Sequence, residues 1–126
     1  MGERKLKVET VNDTSPDKKE SEDAWVINHE AGIYGVLDGA TPLDDFQDEQ
    51  GHNGAFLAAR IFKEHFESLA SNVDLTQEVR EANSKLYHQM LAYGIDLSEG
   101  YKRWSTCVAL VQVEETHVNY AHLVIP

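Results

Sequence analysis

The residues best suited to chemistry in this 126-residue chain are carboxylates at the ends of apolar runs. Ile33-Tyr34-Gly35-Val36-Leu37 reads as a strand that stops abruptly at Asp38-Gly39. A second run, Ala24-Trp25-Val26-Ile27, opens on Ser21-Glu22-Asp23. If the two strands are neighbours, Glu22, Asp23 and Asp38 meet at one end of a sheet. Such oxygen donors suit a hard divalent cation, and Mg2+ keeps several waters while accepting only one or two carboxylates. Asp38 is the candidate bridge between two ions about 3.5–4 Å apart, a spacing that polarises a phosphoryl oxygen and activates a water. Gly39 lacks a Cβ, which would let its carbonyl approach a cation. Asp-Gly is also a common turn pair, so the dipeptide alone does not decide between a site and a turn.

The elements that must position these acids follow from periodicity. Leu6 to Val11 alternates apolar and polar residues and is expected to be a half-exposed strand. Residues 12–21 are polar, contain Pro16, and read as a loop. The strand opening at Asp23 turns at Glu30-Ala31-Gly32 into the Ile33 strand. Thr41 to Asn53 is an acidic surface loop. From Gly54 to about Ala70, Leu57, Ile61 and Leu69 with Ala58, Phe62 and Phe66 make a broad apolar helical stripe. Asp74-Leu75-Thr76-Gln77 has the form of a capping box, and a second helix follows, ending at Gly94. Ser105 to Val113 is nearly continuous in apolar residues, the pattern of a strand buried on both faces. Glu114-Glu115-Thr116 turns it into a partner strand from His117 to Ile125. The expected fold is therefore α+β: a mainly antiparallel β-sheet packed against two antiparallel helices.

Composition narrows the function. One domain fits the length. With 22 acidic and 11 basic residues the net charge is −11, which disfavours phosphate backbones and anionic membranes, so neither nucleic acid nor membrane is an expected partner. The single cysteine, Cys107, excludes an internal disulfide and a Cys-only zinc site. No apolar h-region follows the basic N-terminal residues and no run reaches membrane-spanning length, so a cytoplasmic location is expected. The six histidines show no i, i+4 pairing and no His-Glu-x-x-His motif, so zinc is not expected and the histidines read as surface or boundary residues. The cluster from Asp44 to Glu49 lacks the alternation and central glycine of an EF-hand. No Gly-Lys-Ser/Thr phosphate loop is present, and Ser105 and Thr106 have no neighbouring base in sequence.

Taken in order, Ser21-Glu22-Asp23-Ala24, Gly35-Val36-Leu37-Asp38-Gly39, the helix pair, Ser105-Thr106-Cys107-Val108-Ala109-Leu110-Val111 and Asn119-Tyr120-Ala121-His122-Leu123 resemble successive motifs of the metal-dependent protein phosphatases of the 2C type. The resemblance implies half of an αββα sandwich, with Mg2+ or Mn2+ in a two-metal site and a protein phosphorylated on serine or threonine as substrate. It implies metal coordination by Asp38 and the Gly39 carbonyl, with Glu22 or Asp23 close by. Where that family carries a phosphate-binding arginine, this chain has Lys18 and Lys19, point charges rather than a bidentate fork. Ala40-Thr41-Pro42 follows the Asp-Gly pair in place of a histidine or methionine and two glycines, and Trp104 replaces a glycine before Ser105. The family's Gly-Asp-Ser turn and second half, with two further metal-binding aspartates, are missing after Leu123. Residues 1–126 are thus expected to be the N-terminal portion of a phosphatase 2C-like domain, truncated at its last strand and inactive as a fragment. The alternative is a non-enzymatic interaction module on the same scaffold, and an open sheet edge would permit self-association.

Overall fold

The computed structural model describes residues 7–11, 21–40 and 43–125. Strands β1 (Asp23–Asn28), β2 (Ile33–Gly39), β3 (Thr106–Val113) and β4 (Val118–Ile125) form one antiparallel sheet in sequential order. Helices α1 (Gly54–Glu67) and α2 (Leu75–Ala92) lie between β2 and β3 in sequence and pack together on one face. The α+β class read from the sequence is the class found.

One expected element is missing. Residues 7–11 have no regular secondary structure, so among the described residues two strands rather than three precede the helices. The alternation in this stretch slips at Val11, which is fully exposed, while Lys7 and Glu9 pair in solvent at 3.0 Å. Val8 alone is part-buried, beside the outer sheet face, and one apolar contact gives a strand little to hold it in register.

Between sheet and helices lies the core, built from Val26, Leu37, Val108 and Leu110 of the strands against Ala58, Phe62, Phe66, Leu86 and Met90 of the helices. Of the polar side chains enclosed there, Asn28 and Gln112 find partners, whereas the Trp104 Nε1 and His65 Nδ1 have none among the described residues. Asn28 donates to the carbonyls of Phe66 and Leu69 at 2.8 and 2.9 Å and accepts from the Ala31 N–H, tying the β1–β2 hairpin to the end of α1. Gln112 similarly donates to the Val73 carbonyl at 2.8 Å. Each bond prevents the cost of about 1–3 kcal/mol that an unpaired buried group would carry.

Strand β3 departs from the sequence expectation. Its burial alternates along the strand, because the helices cover only one face of the sheet. A continuous apolar run here marks a strand with one packed face and one open apolar face. Trp104 just before it is buried, ringed by Phe46 and Tyr93, and its backbone N–H donates to the Met90 sulfur. Gly54 makes this possible, since a Cβ there would sit 2.2 Å from the Trp104 ring. The tryptophan and the glycine at the start of α1 are therefore a matched pair.

The outer edge of β1 is not left bare. The Lys63 ammonium donates to the Trp25 carbonyl at 2.9 Å and the Glu67 carboxylate accepts from the Ile27 N–H at 3.1 Å, while the two side chains pair at 3.0 Å. Occupied backbone groups cannot template another strand.

Candidate metal centre

The β1–β2 register sets Asp23 directly opposite Asp38. Residues facing one another across an antiparallel pair lie on the same face of the sheet, here the face away from the helices. The next row on that face is Trp25, Val36 and Ala109. Asp23 and Asp38 thus stand at the rim of an open cleft of about 850 Å3 floored by the outer sheet face.

Asp23 has a carboxyl pKa above the usual aspartate value. Loss of hydration is the leading cause, followed by a hydrogen bond with Asp38, the Asp38 charge and the Glu22 charge; a bond from the Gly39 N–H works in the opposite sense. Like charges directly opposite one another across two strands repel, and a cation between them would relieve that repulsion.

Glu22 occupies a different position. Its side chain is buried and its Oε1 accepts from the Asn53 amide at 2.9 Å. Asn53 is also the N-cap of α1, accepting from the Phe56 N–H at 2.9 Å. One side chain thereby fixes both the helix start and the acid behind the pair. Asn53 is absent from the sequence-level set of site residues; an asparagine immediately before the first apolar-periodic residue was the available signal.

Gly39 is the last residue of β2 and its N–H donates to the Glu22 carbonyl at 3.2 Å. The requirement for glycine is spatial rather than conformational. A Cβ at this position would lie 2.5 Å from the Glu22 carbonyl oxygen and 2.8 Å from that of Ala55. The strand end is pressed against both the segment leading into β1 and the start of α1. Ala40 continues the connection by donating to the Ser105 carbonyl at 3.0 Å. Lys18 and Lys19, the expected phosphate contacts, lie outside the described residues.

A second group of donor atoms, unforeseen in the sequence, sits on the far side of the sheet between the helices. His65 of α1 and Glu78 and Glu81 of α2 each offer a ligand atom within 4.8 Å of the others. Histidine spacing within one helix cannot reveal a cluster assembled from two.

No family model matches the sequence, and no curated protein matches it. A solved structure does match in three dimensions: the crystal structure of the serine/threonine phosphatase Stp1 from Staphylococcus aureus, with a TM-score of 0.58 over 97% of this chain at 19% identity. The chain spans about half of that phosphatase, 50% of its length. At this level of identity the likeness is one of fold: four sequential antiparallel strands and two helices here are arranged as in half of a serine/threonine phosphatase.

Proposed function

We propose that residues 1–126 form the N-terminal, acid-bearing portion of a metal-dependent serine/threonine phosphoprotein phosphatase domain that works in the cytoplasm. The observation carrying this reading is the cross-strand Asp23–Asp38 pair at the rim of the open sheet face. The phosphatase-like fold is its second support.

The donor set fits a hard cation. It consists of oxygen ligands only, two of them directly opposite one another across β1 and β2 and a third acid next to them in sequence, which suits Mg2+ or Mn2+ rather than a thiolate-seeking metal. Asp23 and Asp38 would hold the ion, with the Gly39 carbonyl and Glu22 as the further oxygens. A bound divalent ion supplies Lewis acidity toward a phosphoryl oxygen and lowers the pKa of its water. The protein's own contribution is positional. Asn53 and Glu22 lock the end of β1 to the start of α1, and the tight packing at Gly39 keeps Asp38 in register with Asp23. Lys18 and Lys19 would meet the substrate phosphate as point charges.

The chain offers only one side of a two-metal site, so cation binding should be weak and turnover of a generic aryl phosphate slow or absent. Calorimetry with Mn2+ at millimolar concentration tests the site: heat from the native chain and none from Asp38→Asn is the expected pattern. Robust Mn2+-dependent turnover abolished by Asp38→Ala would refute the half-site claim while supporting the phosphatase assignment.

The open apolar face of the sheet favours a second reading, a catalytically inactive module that binds a partner protein there. Absence of any Mn2+ heat would favour it.

A further inference from the structure

We infer that His65, Glu78 and Glu81 form a second metal site, for a transition-metal cation such as Zn2+, that pins the two helices together. His65 lies in the last turn of α1, and Glu78 and Glu81 lie one turn apart near the start of α2. Residues at i and i+3 share a helix face. The His65 Nε2 is 2.9 Å from the Glu78 Oε1, and the donor atoms of all three residues lie within 4.8 Å of one another. Zinc bonds of about 2.0–2.2 Å in tetrahedral array put ligand atoms about 3.3–3.5 Å apart. Glu81 is exposed, so its side chain can turn to close the remaining gap.

Three features favour a cation over a plain histidine–glutamate bond. First, the ring is 5% exposed, and its Nδ1 has no hydrogen-bond partner among the described residues. A proton on Nδ1 would release the Nε2 lone pair, and because that N–H would lack an acceptor the metal bond must offset its cost; the bond given up at Nε2 is to Glu78, itself a ligand. Second, no lysine or arginine among the described residues forms an ion pair with Glu78 or Glu81. Two carboxylates on one helix face are thus left with the histidine between them. Third, His65 itself lines an open cleft, beside Glu64, Lys85 and His88, which gives solvent access to the imidazole. One nitrogen and two carboxylates leave a coordination position for water. An imidazole ligand separates this site from the all-oxygen pair at the sheet end, which prefers a harder ion.

The experiment titrates Zn2+ into the full chain carrying Asp23→Asn and Asp38→Asn, which removes the other acid pair. Binding with a micromolar dissociation constant, a Zn2+-dependent rise in Tm, and a shift of the His65 ring nitrogens by NMR are expected. Glu81→Gln alters an exposed residue and should weaken binding at least tenfold without changing the metal-free Tm. His65→Gln should abolish binding. Should His65→Gln fail to fold, Glu78→Gln together with the His65 ring signals carries the test. Zn2+ binding unaffected by Glu81→Gln, an unmoved His65 signal, or no binding at 1 mM Zn2+ would overturn the inference.

Discussion

The two faces of the same four strands have opposite characters. On the inner face Val26, Leu37, Val108 and Leu110 are at most 1% exposed. On the outer face Val36 is 62% exposed, Tyr120 80% and Val124 65%, although these residues are as apolar as their inward neighbours. Antiparallel sheets with one wet face normally alternate apolar with polar side chains. Here the inner face carries the stability of the domain, and the outer face carries surplus apolar surface with the acid pair at its rim. The fold is held from one side and offers chemistry and binding on the other.

The largest effects should follow changes to the inner side. Phe62→Ala, at the centre of the α1 contact with the sheet, should cost about 3–5 kcal/mol by denaturant unfolding. A smaller loss, about 1–3 kcal/mol, is expected for Gly39→Ala, because the new methyl meets backbone oxygens on two sides that cannot rotate away. The same variant should also weaken Mn2+ binding, since the displaced segment carries Asp38.

At the rim the sign reverses. Asp23→Asn should stabilise the metal-free chain by about 0.2–1 kcal/mol, as it removes like charges placed directly opposite. The pH dependence follows from the raised pKa of Asp23. In the interval above the ordinary aspartate pKa and below the raised one, the folded chain holds more protons than the unfolded chain, so stability falls as pH rises through it. Thermal unfolding in the presence of a chelator should show this decline in the native chain and a reduced one in Asp23→Asn. The smallest effect belongs to the open face. Val36→Thr should change stability by no more than about 0.5 kcal/mol. A loss comparable to that of Phe62→Ala would mean that the outer face is covered in solution.

Much of this arrangement could be read from the residues. The acids at the start of β1 and end of β2, the Ala31-Gly32 turn, the helix start at Gly54 and the Asp74 cap all fall where local patterning places them. Local signals suffice there because caps, turns and periodicity depend on near neighbours. The illegible features are tertiary. Whether β3 is covered on one face or two depends on what packs against it, and its apolar run reads the same in both cases. The role of Gly39 depends on the Glu22 and Ala55 carbonyls, and that of Gly54 on Trp104, fifty residues away in sequence. Glu22 joins Asn53 across a gap of 31 residues, and His65 meets Glu78 only because the helices fold back on each other.

Paramagnetic broadening by substoichiometric Mn2+ in the NMR spectrum of the full chain reports which residues surround the ion. Selective loss of the Asp23, Asp38 and Gly39 signals is expected in the native chain, with their survival in Asp38→Asn. Broadening that spares these residues, or that persists undiminished in the variant, would contradict cation binding by the Asp23–Asp38 pair.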